Sequence, residues 1–140
     1  MTSITAEEFF GRYEQANNDF DVQLIASLYA DVFMFGNPQG VQAVRKEDFL
    51  KVLPRRKHFM KEAGLLSSRI DSVQASELDS KYTLVKTTWK MRVRVNQGAD
   101  VTTQTSATYV LSTTEAAFEI VFQLDHQDLT KTLQDLRVKS

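Results

Sequence analysis

The sequence predicts an α+β domain, with helices packed on one face of a curved antiparallel sheet. Helical periodicity runs through the first part of the chain, broken by one strand, and strict alternation of apolar and polar residues runs through the second. The two kinds of element are segregated, not interleaved as in a parallel α/β fold. At 140 residues, with 42% apolar and 25% charged, the chain has the size and balance of one globular domain. No repeat, low-complexity tract or linker divides it, so residues 1–140 are expected to form that single domain.

Thr5 followed by Glu8 has the spacing of a helix capping box. Behind it Phe9, Tyr13 and Ala16 recur every three to four residues, predicting a helix over about 6–17. The polar knot Asn17-Asn18-Asp19 interrupts it. Val22, Ile25, Leu28 and Tyr29 then give a shorter helix, with Asp19 or Asp21 near its cap. From Asp31 the period becomes two: Phe33, Phe35 and Asn37 share one face of a strand, and Val32 and Met34 the other. Gly36, Pro38 and Gly40 end that strand. A third helix is expected from near Lys46, with Phe49, Leu50 and Leu53 on one side, a kink or split at Pro54, and a stop at Gly64.

The second part reads as strands. Residues 67–78 form a weakly patterned one, interrupted by a bulge. Residues 82–95 alternate cleanly, with Val85, Thr87, Trp89, Met91 and Val93 on one face and Lys86, Lys90, Arg92 and Arg94 on the other. Asn96-Gln97-Gly98 supplies a turn into a threonine-rich strand over 101–112. Thr113-Thr114-Glu115 turns again into 118–124, where Phe118, Ile120, Phe122 and Leu124 alternate. A last helix from about Gln127, opened by His126, carries Leu129, Leu133 and Leu136 on one stripe.

Composition removes several function classes. Seventeen basic and eighteen acidic residues nearly cancel, so no global field draws in a polyanion, and nucleic acid is not an expected partner. The dense patch Arg55-Arg56-Lys57-His58, with Lys51 and Lys61, reads as a solvated helix face. There is no cysteine, hence no disulfide, thiolate nucleophile or thiolate metal site. The two histidines lie far apart with no carboxylates clustered around them, so no metal is expected. Five scattered glycines make neither a phosphate loop nor a nucleophile elbow, and no cofactor is expected. The first residues carry neither a basic flank nor a long apolar run, so the expectation is a cytoplasmic protein with no membrane segment.

Residues 12–40, RYEQANNDFDVQLIASLYADVFMFGNPQG, resemble the corresponding part of ketosteroid isomerases, aligned without a gap. Shared features are an Arg-Tyr pair in the first helix, a polar break, a second helix, and a strand ending in a turn with proline. FLKVLPRRKHFMKEAGL, YTLVKTTWKM and EIVFQLDHQDL look like segments of uncharacterised bacterial members of the wider nuclear transport factor 2-like superfamily. That superfamily also holds scytalone dehydratase, limonene epoxide hydrolase and the SnoaL-like cyclases. The resemblance implies a cystatin-like topology: a cone-shaped, strongly curved antiparallel or mixed sheet, with three N-terminal helices on its concave face. It places the isomerases' oxyanion-hole tyrosine on Tyr13 and their aspartate base on Asn37. An amide takes up no proton at neutral pH, so the isomerase reaction loses its base here.

The expectation is therefore a small apolar ligand held in the cone, without the isomerase base. Tyr13, Phe35, Asn37, Trp89, Tyr109 and Phe122 would line the site, Tyr13 and Asn37 giving its hydrogen bonds. Each has a plainer reading: Tyr13 as a core tyrosine bonded to a carbonyl, Asn37 as an Asn-Pro turn residue, the aromatics as packing. The alternatives are a SnoaL-like cyclase, isomerase or dehydratase using Asp31, Asp48, Glu119 or His58, and a dimeric interaction module with no cavity. An isologous homodimer through the outer sheet face, using Tyr82, Leu84, Val110 and Val121, is implied by the superfamily's habit of pairing that way.

Overall fold

The computed structural model describes residues 4–95, 99–115 and 117–139. The elements run α1 (Ala6–Asp19), α2 (Val22–Leu28), β1 (Tyr29–Asn37), β2 (Gly40–Arg45) and α3 (Lys46–Glu62), then β3 (Leu65–Glu77), β4 (Tyr82–Val95), β5 (Ala99–Thr114), β6 (Ala117–Asp125) and α4 (Leu129–Lys139). All six strands join one curved sheet in the order β2-β1-β6-β5-β4-β3. β1 and β6 pair in parallel and every other neighbour antiparallel. Among the described residues no helix is long and apolar enough to cross a membrane.

Local chemistry accounts for most element ends. Thr5 Oγ1 accepts the Glu8 amide at 3.1 Å, and its hydroxyl lies 3.2 Å from the Glu8 carboxylate. Phe20, left-handed at φ 52°, ends α1, and Asp21 caps α2 through the Leu24 amide at 3.1 Å. β4 keeps the predicted alternation, Val85, Thr87, Trp89, Met91 and Val93 all buried. β3 carries two register shifts, the expected interruption. In α4, Leu133 is fully buried, with Leu129 and Leu136 packed beside the same cluster.

Five expectations need correction. Tyr29 opens β1 and does not close α2; its side chain is buried, which serves an inward strand position as well as a helical stripe. A strand not predicted from the sequence, β2, forms a hairpin with β1; five of its six residues are exposed, so it shows no alternation to read. α3 is not split at Pro54, an exposed position where the bond to residue 50 is lost. In β6 the clean alternation fails: Val110 pairs with Phe122 and Leu111 with Ile120, so Val121 is an extra residue. This bulge turns Phe122 to the outer face beside Val110 and brings Gln123 and Asp125 inward, where both are buried. His126 precedes α4 without opening it, its Nε2 lying 2.7 Å from Thr108 Oγ1. The turn at 96–98 lies outside the described residues.

The core has two parts. α1 and α2 press Phe9, Phe10, Tyr13, Ala16, Ile25 and Leu28 onto Val85, Trp89, Tyr109, Leu111 and Ile120 of the inner sheet face. Fully buried members such as Phe10 and Leu111 each contribute roughly 1.5–3 kcal/mol of transfer free energy. A second cluster, Met60, Ala63, Met91, Val93, Val95 and Leu133, joins α3 and α4 to the far end of β4.

Candidate functional site

A cavity of about 1110 Å³ lies between the two clusters, with lining residues from both. This is slightly above the usual range of about 300–1,000 Å³ for small-molecule sites. α1 supplies Tyr13, β1 supplies Tyr29, Phe33 and Phe35, α3 supplies Phe49, Leu53 and Met60, and the sheet supplies Trp89, Ala107 and Tyr109. The apolar wall is thus rich in aromatic rings, and polar side chains such as Asn17, Gln42 and Ser68 make up much of the remaining lining. Trp89 packs 5.7 Å from Tyr13, ring centre to ring centre. Its indole N–H is satisfied by Thr87 Oγ1 at 2.9 Å, leaving the ring as an apolar wall.

The polar part is a chain of buried groups. Tyr29 donates to Gln123 Oε1 at 2.6 Å, and Gln123 Nε2 donates to Asp125 Oδ1 at 3.1 Å. Tyr109 donates to the Tyr13 hydroxyl at 3.2 Å. Tyr29 also lies 3.3 Å from the Tyr13 oxygen, but a phenol has one hydrogen and the shorter bond to Gln123 takes it. Tyr13 therefore receives a hydrogen from Tyr109 and has the Tyr29 oxygen, 3.3 Å away, as the acceptor for its own, a long contact that an oxygen placed in the cavity can displace. Burial pushes the pKa of Tyr13, Tyr29 and Tyr109 above the usual phenol value, so all three act as neutral donors at physiological pH.

Asp125 closes the chain. It is the one buried carboxylate among the described residues, and it lines the cavity. Burial raises its pKa, while the Gln123 hydrogen bond and the charges of Arg56 and His126 pull it down. A carboxyl group with raised proton affinity in a cavity has the character of an acid-base group.

The structure brings Tyr13, Phe35, Trp89 and Tyr109 together in this lining, and leaves Asn37 and Phe122 out of it. Tyr13 and Asn37 thus do not share the cavity as expected. Asn37 Oδ1 accepts the Gln39 amide at 2.9 Å, holding the hairpin turn, as Asx side chains do before a bend. Phe122 is displaced by the β6 bulge. Of the alternative bases, Asp48 lines the cavity. The Asp31 side chain is 99% exposed, 3.5 Å from Lys46, and His58 is exposed beside Glu62. Glu119 is not in the lining.

Sequence reasoning missed Tyr29, Gln123 and Asp125; it read Arg56 as part of a solvated helix face, and Arg56 is exposed, though it also lines the cavity. Gln123 and Asp125 sit two apart on the parity that an unbulged strand would turn to solvent, so nothing local betrays them. Arg56 did leave a trace: it falls seven residues after Phe49 and three after Leu53, on the apolar stripe of its helix.

Residues 3–128 match the family described as NTF2-like protein (DUF6841). No functionally curated protein matches the chain. Among solved structures, an NTF-2-like protein of unknown function from Shewanella oneidensis MR-1 is similar at 12% identity, covering 86% of this chain and 94% of its own, with a TM-score of 0.64. A protein of unknown function with a cystatin-like fold from Nostoc punctiforme matches at 11% identity over 91% of this chain and 96% of its own, TM-score 0.65. The beta subunit of the benzoate 1,2-dioxygenase from Burkholderia mallei matches at 15% identity over 94% and 95%, TM-score 0.68. At these identities the likeness is one of fold.

Proposed function

Because this chain belongs to the NTF2-like proteins of the DUF6841 family, we propose that its cone serves as a binding site for a small, largely apolar molecule carrying an oxygen acceptor. The observation that carries the reading is the largely apolar cavity of about 1110 Å³ whose lining includes the Tyr13 hydroxyl, its hydrogen held only by the long 3.3 Å contact to Tyr29. The hydrogen-bonding role first assigned to Asn37 passes to the Tyr13, Tyr29 and Tyr109 group. A cytoplasmic setting, in keeping with a chain free of oxidisable cysteine, belongs to the same proposal.

The chain has one tryptophan, and Trp89 lines the cavity, so its fluorescence reports on occupancy. Titration with N-phenyl-1-naphthylamine should quench Trp89 saturably, with energy transfer to the probe. The neutral ketone 2-acetylnaphthalene should compete, and Tyr13→Phe should weaken the ketone about threefold to tenfold, the worth of one hydrogen bond, while sparing the amine probe. Unchanged Trp89 emission with both compounds would remove the proposal.

A second reading makes the protein an enzyme of the cyclase, isomerase or dehydratase type. It rests on Asp125, a buried carboxylate in the same lining as the Tyr13 donor. Asp125 would take a proton next to a carbonyl whose oxygen Tyr13 holds, filling the role that Asn37 cannot. An isologous homodimer is also part of the proposal. Its support is an apolar row across the outer face, Leu84 beside Val110, Val110 beside Phe122, and Phe122 beside Met34.

A further inference from the structure

We propose that the molecule bound in the cone is an organic anion, an apolar body bearing one carboxylate or equivalent group, and that Arg56 of α3 recognises its charge. This rests on the cavity being a ligand site and adds the ligand's chemical class.

Phe49, Leu53 and Met60 mark the face of α3 turned to the interior: Leu53 and Met60 are buried, and Phe49 packs on the core. Arg56 lies on the same stripe, three residues after Leu53 and four before Met60. Arg56 is exposed, yet it also belongs to the cavity lining, so it stands where the cavity opens to solvent. Among the described residues it makes no ion pair or hydrogen bond. A planar guanidinium with five donors is matched to a carboxylate, and a site walled by aromatic rings strengthens that match.

The acidic groups of the same lining do not discharge it. Glu14 accepts the Ile70 backbone amide. Glu62 stands 3.8 Å from His58. Asp48 is eight residues back along α3, about 12 Å on the helix axis. Asp125 is held by Gln123, and the Arg56 charge acts on it across the cavity without forming an ion pair. Other cations stand nearby. Lys57 Nζ is 4.4 Å from the centre of the Phe20 ring at the mouth, Lys61 adds a further charge to the lining, and Arg94 is drawn off by Asp100 at 3.5 Å. An incoming anion thus meets the exposed Lys57, Lys61 and Arg56 where the cavity opens to solvent, while its apolar body lies against Phe49 and Trp89.

The test uses N-phenyl-1-naphthylamine as the cavity reporter and displaces it with a matched pair, 2-naphthoate and neutral 2-naphthamide. These differ in charge and hardly in shape. Arg56→Gln should weaken 2-naphthoate about tenfold and change 2-naphthamide and the reporter less than twofold. Arg56→Lys should recover part of the loss. Lys51→Gln, on the same helix but outside the lining, should leave all three affinities unchanged. Circular dichroism and melting temperature establish that each variant is folded. Equal 2-naphthoate affinity in wild type and Arg56→Gln overturns the inference while leaving the binding cavity standing, as does an equal loss in Lys51→Gln. Failure of the reporter to bind wild type removes both.

Discussion

Asp125 is where single-residue chemistry has the clearest consequence. Burial raises its pKa above the ordinary carboxylate value of 3.8, so the folded protein holds this proton more tightly than the unfolded chain does. Below the unfolded value both states are protonated and nothing is lost. As pH rises from there through the raised folded value, the unfolded chain releases its proton first, and stability falls and stays reduced above that window. Asp125→Asn keeps an acceptor for Gln123 and has no charge to desolvate. Its melting temperature at pH 7 should equal or exceed that of wild type, with a shallower decline from acid to neutral pH. Parallel profiles would show that the carboxylate is not strained by burial. The same variant separates the two functional readings. If Asp125 is a base, deuterium exchange at the methyl group of bound 2-acetylnaphthalene is accelerated by wild type and not by Asp125→Asn. If the cone only binds, neither accelerates it.

Among the elements, α3 is the one on which fold and site meet. Its first half braces β1 through Phe49, whose ring centre is 4.9 Å from Tyr29 and 5.3 Å from Phe33. Its second half carries Arg56 to the cavity, and its end is set by Gly64. There φ is +101°, the carbonyl accepts the Arg94 amide at 2.7 Å, and an added Cβ would collide with the Arg94 carbonyl oxygen. The glycine both stops the helix and lets β4 approach it. Gly64→Ala should therefore cost about 2–3 kcal/mol in urea unfolding. Gly11→Ala, in the exposed middle of α1 with open space around it, should gain about 0.5–1 kcal/mol. Similar values for the two would refute the close approach at Gly64.

For the whole molecule, the curved sheet has two faces with different tasks. The inner one, with α1, α2 and α3 against it, encloses the cavity. The outer one carries the Leu84, Val110, Phe122 and Met34 row, and Met34 is 37% exposed. A second copy laid on this row would cover it, so light scattering at micromolar concentration should give twice the 16.0 kDa chain mass. Phe122→Glu should return a monomer that still binds the naphthylamine probe. A wild-type monomer under these conditions would remove the dimer.

What the sequence determined by itself is what local rules govern. The Thr5 cap, the helical stripe of α1, the two faces of β4 and the glycine stop after α3 all follow from residues within a few positions of one another. The same holds for the aromatic lining at Tyr13, Phe35, Trp89 and Tyr109, which sit at inward positions of regular elements. The edge strand β2 escaped because pairing, not burial, makes it a strand. The polar chain escaped for a related reason: one bulge in β6, settled by pairing with β5, moved Phe122 outward and Gln123 and Asp125 inward. Tyr13 and Gln123 belong to one network across more than a hundred residues of chain, and Arg56 joins the same lining only once α3 lies over the cone. Periodicity records which side of its own element a residue faces; strand register and helix placement decide what it meets there, and those are properties of the packed chain.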